Sequence, residues 1–418
     1  MGGSEIQAML TRADLEQLDR DDPLAPFRGR FALPPGVVYL DGNSLGPLPR
    51  ATPERVAEVV TREWGEGLIR SWNDAGWIDL AARVADGIAR LVGGAPGSVA
   101  VADSTSVNLF KLLGAALTLR PGRQVIVSER DNFPTDLYVA QGLSAFLGGK
   151  HTVCLVEPGG VMDASGDDTA LVMLSHVNYR TGAMHDMAAV TRAVQGQGAL
   201  VLWDLAHSAG AMPVDLAAAD ADFAVGCGYK FLNGGPGAPA FLYVAPRLHP
   251  ALRLPITGWL GHAQPFAFEA QYRPAPGLTQ AIVGTPPILS LAALDIGVAL
   301  ALEASLSDVR AKSIRQIALL AAMIEQAAPG LFRRVTPDDP ARHGSQLCLS
   351  HPDAYAIMQA LIDRRVIGDF RAPDILRFGI TPLTLSYAEL WDAAATLGAI
   401  MAEGAWRDPR YAVRKAVT

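Results

Sequence analysis

The sequence predicts an α/β protein: a large domain on a mainly parallel sheet, followed by a smaller C-terminal α/β domain. Between residues 99 and 245 short apolar runs alternate with helix-like stretches. The runs lack the polar alternation of a half-exposed strand, so both faces of the sheet are expected to be covered by helices. A Pro-rich stretch (Pro274, Pro276, Pro286, Pro287) then precedes a long helical pattern, Leu289 to Gln326, that reads as the connector to a second strand-and-helix set. At 418 residues the chain is long enough for two or three domains.

The strand candidates of the first set are Val99–Ala102, Gln124–Ser128, Thr152–Val156, Ala170–Ser175, Ala199–Trp203, Asp222–Gly226 and Ala240–Val244. Helical patterns lie at Ser106–Leu119, Asp136–Leu147 and Asp186–Gln197. The second set reads as strand Ser345–Leu349, helix Ala354–Arg364, strand Leu376–Gly379 and helix Tyr387–Ala402. The expected domains are therefore residues 36–300 and 301–418, with residues 1–35 an arm packed on the smaller one.

Composition narrows the function. Half the residues are hydrophobic and 18% are charged, which fits a globular chain. A formal charge of -7, with no Lys/Arg stripe, argues against a nucleic-acid partner. The segment Met1–Arg20 carries Glu5, Asp14, Glu16 and Asp19 and does not read as a secretory signal. Asp295 interrupts the apolar stretch Ile288–Leu302, which is short for a bilayer span. No membrane association and a cytoplasmic location are expected. Cys154, Cys227 and Cys348 are widely spaced in apolar runs and suit buried thiols, and the eight histidines lack metal-ligand spacing. No metal is expected.

In open α/β sheets ligands bind beyond the carboxyl ends of the strands, so polar residues there are the candidates. Asp204 directly follows Val201-Leu202-Trp203, where an acid suits a helix N-cap as well as a ligand. Lys230 follows Phe223–Gly228 and precedes Asn233-Gly234-Gly235-Pro236-Gly237. Alone it could be a snorkelling surface lysine, although the flanking glycines permit close backbone approach to a ligand. Thr105 and Ser106 open a helix after Val101-Ala102, where hydroxyls and N–H groups cap the helix or bind phosphate. Together the three suit pyridoxal 5′-phosphate (PLP), which needs an amine for a Schiff base, an acid at its pyridine nitrogen and a phosphate anchor. Asp204 and Lys230 stand on successive strand ends, so both can face one pocket.

With these features the sequence resembles the kynureninase family, PLP enzymes of the aspartate-aminotransferase fold type (fold type I). The resemblance rests on Asp204-Leu205-Ala206-His207, Tyr229–Gly237 and Gly258-Trp259-Leu260-Gly261-His262. It extends to Leu40–Gly46, Ser71-Trp72-Asn73 and Asn132-Phe133-Pro134-Thr135-Asp136. It implies hydrolytic Cβ–Cγ cleavage of L-kynurenine to anthranilate and L-alanine, within tryptophan catabolism. Lys230 would carry PLP and move the Cα proton, Asp204 would pair with the pyridine nitrogen, and His207 would lie beside the cofactor. Thr105, Ser106 and Tyr229 match phosphate-end positions, with Tyr229 also the candidate acid of later steps. Phe133 would cover the ring, with Asp136 and Ser175 nearby.

The resemblance further implies a homodimer, since Trp259 and Thr285 match cofactor-site positions that come from the second subunit. Arg377, in Leu376-Arg377-Phe378-Gly379, matches the arginine that grips the substrate α-carboxylate. Asn43, Ser44 and Trp72 are the other substrate-side candidates, with Trp72, Phe133 and Trp259 forming the wall for the aryl ring. Phe231 and Leu260 depart from the common Tyr and Phe. Thr285 stands where the animal enzymes carry Asn, which suggests L-kynurenine over its 3-hydroxy derivative. The nearest rival is a cysteine desulfurase of the same fold, but Cys348 reads as strand core and not as a mobile nucleophile.

Overall fold

Uninterrupted apolar runs need cover on both faces, and the computed structural model, which describes residues 10–415, provides it. The chain divides into two compact units. In the unit formed by Ala51–Tyr179 and His185–Glu303, seven strands make one sheet. They are β1 (Val99–Val101), β2 (Val125–Glu129), β3 (Thr152–Val156), β4 (Thr169–Ser175), β5 (Leu200–Asp204), β6 (Phe223–Gly226) and β7 (Phe241–Val244). Their order is β1-β7-β6-β5-β4-β2-β3, and every residue of β4 and β5 is buried.

One strand departs from the parallel pattern. β7 runs antiparallel to both β1 and β6. The connection from Gly226 to Phe241 contains no helix, so the chain lacks the crossover that a parallel return requires.

Helices α1 (Thr105–Leu119), α2 (Pro134–Phe146), α3 (Met187–Gly196) and α4 (Ile288–Glu303) belong to this unit. Leu109, Leu112, Leu113 and Ala116 of α1 join Ile126, Leu171, Leu202 and Val225 of the sheet in one core. Ser104 caps α1 by accepting the N–H of Val107, and Asp186 caps α3 through Ala189. The stretch from 52 to 91, which the pattern left unassigned, is helical. Thr52–Glu58 runs into a π-helical Val59–Gly67, and Trp77–Leu91 buries Leu80, Val84 and Ile88. Gly87 lets that helix approach α4, since a Cβ there would lie 2.6 Å from Val298.

The long helix expected from Leu289 to Gln326 is two helices. α4 ends at Glu303, and α5 (Leu306–Ala327) begins after Ser305, whose hydroxyl accepts the N–H of Asp308 at 3.3 Å. A capping serine inside an apolar periodic run is the stop that hydropathy does not register.

The second unit contains α5, α6 (Ala354–Asp363) and α7 (Tyr387–Glu403) against an antiparallel sheet. The sheet runs Arg333–Arg334, β8 (Gln346–Ser350), β10 (Ile375–Gly379), β9 (Asp369–Arg371). Leu15 of the N-terminal helix Arg12–Arg20 enters its core with Ile317, Leu347, Phe378 and Leu390. Asp19 accepts the N–H groups of Tyr387 and Ala388 at 2.6 and 2.9 Å, placing a carboxylate on the positive end of α7.

Residues 36–50 group with this unit and not with the large sheet. The strand Val38–Tyr39 pairs in parallel with Val366–Ile367, and that pairing draws the Leu40–Gly46 motif along. The boundary lies at Glu303/Ala304, and Arg180–Met184 also belongs here, with Ala183 bridging His343. Cys227 and Cys348 are buried as expected, whereas Cys154 is only partly so. Among the described residues no single helix is long and apolar enough to cross a membrane, and no group of His, Cys, Asp or Glu forms a metal site.

Candidate active site

The carboxyl ends of β4, β5 and β6 open on a cavity of about 300 Å³. Parallel register sets Ser175, the last residue of β4, beside Asp204, the last of β5. Asp204 is 5% exposed and accepts the N–H of Ala206 at 2.7 Å. That turn sends the chain past His207, which also lines the cavity. After β6 the loop through Cys227 and Tyr229 brings Lys230 into the same wall. The loop is held from behind by α4: a Cβ on Gly297 would come within 2.0 Å of the Leu232 carbonyl oxygen, so only glycine permits this approach.

The start of α1 adds to the same wall. Ser104, Thr105 and Ser106 line the cavity there, beside first-turn N–H groups that a helix leaves without internal partners. Asp103, just before the cap, adopts a left-handed φ of 51° and receives the ammonium of fully buried Lys111. The same ammonium donates to the Ala281 carbonyl at 2.7 Å.

Phe133, at the N-cap of α2, stands edge-on to Tyr179 with centroids 5.3 Å apart. The Lys230 ammonium lies 5.8 Å from the ring centroids of both Phe133 and Tyr229. Asp136, in the first turn of α2, is fully buried; Asn132 donates to its Oδ2 at 3.3 Å, and its Oδ1 has no hydrogen-bond partner.

Burial sets the electrostatics. It raises the pKa of Asp204, against the stabilising charge of Lys230. Asp136 is raised well above the ordinary carboxylate range by burial and then by repulsion from Asp204, with Lys230 opposing. Burial also raises the Tyr229 phenol.

Nine expected residues thus meet in one cavity: Thr105, Ser106, Phe133, Asp136, Ser175, Asp204, His207, Tyr229 and Lys230. Trp259 and Thr285 are exposed and do not line it. Trp72 does not line it either and packs edge-on to Trp77, so Phe133 is the only member of the expected aryl wall present. Arg377, Asn43 and Ser44 come together in the other unit. Arg377 directs its Nε to Asp369 Oδ1 at 2.7 Å and shares Ser44 at 2.8 Å, while Asn43 donates to Gln346 at 3.3 Å. The fork expected to be open to a substrate is therefore engaged by Asp369. Sequence reasoning missed Asp369, Arg371 and Asn132. A signal for the first pair existed, since strand alternation puts Asp369 and Arg371 on one face of β9 beside the arginine-bearing β10.

PLP fits these residues. Asp204 is a buried acid on the cavity wall, placed to pair with a protonated ring nitrogen. The orphaned Oδ1 of Asp136 points the same way. Hydroxyls at the positive end of α1 suit a phosphate, and Lys230 supplies the amine.

Fold and cavity together define a PLP-dependent enzyme of fold type I. The fold matches that of a C-DES variant with glycine covalently linked to the PLP cofactor, with a TM-score of 0.77 at 18% identity over 89% of this chain and 98% of that one. It matches a cysteine desulfurase from Thermococcus onnurineus NA1 with a TM-score of 0.71 at 17% identity over 95% and 98%. At such identity these likenesses establish the fold alone. Residues 309–397 match the model of the kynureninase C-terminal domain. Kynureninases from Burkholderia pseudomallei (strain 1106a) and Pseudomonas fluorescens are 51% and 49% identical over 98% of this chain and their whole length. The chain belongs to the kynureninase family, PLP-dependent hydrolases acting on carbon–carbon bonds.

Proposed function

We propose that this chain hydrolyses the Cβ–Cγ bond of L-kynurenine, giving anthranilate and L-alanine, in the cavity walled by Lys230, Asp204 and the start of α1. The observation that carries the reading is the convergence of nine family-matched residues on one cavity, in a chain about half identical to kynureninases along its whole length.

Lys230 would hold the cofactor, Thr105 and Ser106 its phosphate, and Phe133 one face of its ring, with Ser175 and His207 alongside. PLP, when bound, supplies an electron sink conjugated to the substrate's amino carbon. Asp204 would keep a proton on the ring nitrogen, and its burial makes that ion pair strong. The Lys230 amine would take the proton from the substrate Cα. Arg377 would anchor the α-carboxylate, with Ser44 on the guanidinium and Asn43 as a further substrate-side residue. Water then adds to the γ-carbonyl carbon; its oxygen leaves in the carboxylate of anthranilate as the Cβ–Cγ bond breaks. The Tyr229 phenol, a proton donor on the cavity wall, would return a proton to Cβ on the way to alanine.

Trp259 and Thr285 would complete the site of a second copy, which accounts for their absence from this chain's own cavity and for their exposure. Trp72 would act at the substrate's aryl ring, and Thr285 favours L-kynurenine over its 3-hydroxy form. A homodimer working in the cytoplasm is the corresponding assembly. Desulfuration is disfavoured: Cys348 is fully buried in β8 and burial pushes its thiol up to about 11, far from a reactive thiolate.

The test is direct. The protein loaded with PLP and given L-kynurenine should generate anthranilate fluorescence and an equal amount of L-alanine. A loaded protein that leaves L-kynurenine intact would refute the assignment.

A further inference from the structure

Arg377 is 1% exposed, and one edge of its guanidinium is already paired with a carboxylate. Nε donates to Asp369 Oδ1 at 2.7 Å, and Nη2 donates to Asp369 Oδ2. The two residues face each other directly in the antiparallel β9–β10 register, and Asp369 is itself 0% exposed. The Ser44 hydroxyl donates to Asp369 Oδ2 at 2.9 Å and accepts from Arg377 Nη2 at 2.8 Å. Arg371, two residues along the same strand, brings a second guanidinium to Asp369 Oδ2 at 2.6 Å.

The cluster therefore holds two arginines on one aspartate. Asp41 is the other acid beside it, interacting with Ser44, Asp369 and Arg377, and its protonation is favoured by burial and by the charge of Asp369. With Asp41 neutral the cluster carries one surplus positive charge, which an external carboxylate would cancel. A buried arginine stripped of its partner would leave an uncompensated charge, whereas one clamped along an edge keeps its plane fixed.

We propose that Asp369 is a positioning residue for substrate recognition: by holding the Nε edge of Arg377 it fixes the guanidinium plane, and it determines that the α-carboxylate is met by a preoriented arginine that is not recruited through Nε. This rests on the reading of Arg377 as the carboxylate anchor. It differs from a purely structural role, in which Asp369 only neutralises a buried charge.

The experiment uses PLP-loaded full-length protein and compares Asp369→Asn with the parent. The ligands are L-kynurenine as substrate and its decarboxylated amine as competitive inhibitor. Asn keeps the shape and one acceptor of Asp369 but not its charge. The expected result is a KM raised roughly tenfold or more with kcat within about threefold. The preference for the carboxylate-bearing ligand over the amine should shrink by a similar factor, and Asp369→Glu should restore part of it. A lowered melting temperature with KM and the ligand preference unchanged would overturn the proposal.

If Asp369→Asn does not fold, Ser44→Ala gives the answer. It removes the hydroxyl shared by the pair and should raise KM several-fold; an unchanged KM overturns the proposal. Arg377→Ala separates the two readings. If it leaves KM and ligand preference unchanged, the anchor assignment itself falls. If it alters both while Asp369→Asn alters neither, only the role of Asp369 falls.

Discussion

Burial, and then the charge of Asp204, push the carboxyl of Asp136 away from ionisation, although Asp204 ends a strand and Asp136 opens a helix. Both are buried on the wall of one cavity, where the charge of Lys230 opposes their neutralisation. The pair has energetic consequences for the protein without its cofactor.

Raised folded-state values mean that these acids favour the folded state at low pH. Their contribution is complete below the ordinary aspartate value of about 3.9 and is lost as pH rises through their higher folded values. Asp136→Asn should therefore make the apoprotein more stable than its parent at pH 7, on the order of 1 kcal/mol, with the difference shrinking toward pH 4. Melting curves of parent and variant across that range check it. A variant less stable than the parent at pH 7 contradicts it.

Asp204→Asn should still bind PLP but lower kcat roughly a hundredfold or more, because an amide cannot stabilise a proton on the ring nitrogen. Steady-state kinetics at matched cofactor occupancy decide the matter, and a kcat within threefold of the parent would remove Asp204 from its role.

The glycine behind the lysine loop gives a packing prediction. Gly297→Ala forces a methyl against the Leu232 carbonyl oxygen, 2.0 Å from the ideal Cβ. The cost should be about 1–3 kcal/mol, with weaker PLP binding as residues 231–234 shift. Thermal melting and PLP titration test the two parts separately; a variant unchanged in both shows that the contact relaxes freely.

Asp41 supplies a pH dependence. Burial, then repulsion from Asp369, raises its carboxyl to about 7, with Ser44 and Arg377 opposing. As pH rises through 7 the new charge cancels the surplus beside Arg377, so KM for L-kynurenine should increase above pH 7. Asp41→Asn should flatten that rise. A KM profile identical in parent and variant rules Asp41 out as the titrating group.

Much of the large sheet was legible because its strands are unbroken apolar runs bounded by turn residues. β3 falls on its expected residues and the others within a position or so. The cavity was legible for the same reason: Asp204 ends one apolar strand, and Lys230 stands on the glycine-rich loop that follows the next. What escaped depends on partners distant in sequence. Nothing local ties Val38 to Val366, yet that pairing assigns residues 36–50 to the smaller unit. Ser305 divides a helix that hydropathy reads as continuous. The engagement of Arg377 by Asp369 follows from cross-strand register, which a single strand pattern does not encode.

On the proposed reading Lys230 carries the cofactor. Lys111 and Lys312 are buried against Asp103 and Asp22, and neither lines the cavity. Reducing the PLP-loaded protein with borohydride and mapping its peptides by mass spectrometry should find the pyridoxyl group on Lys230. A pyridoxyl group on any other lysine, with Lys230 unmodified, would contradict the account.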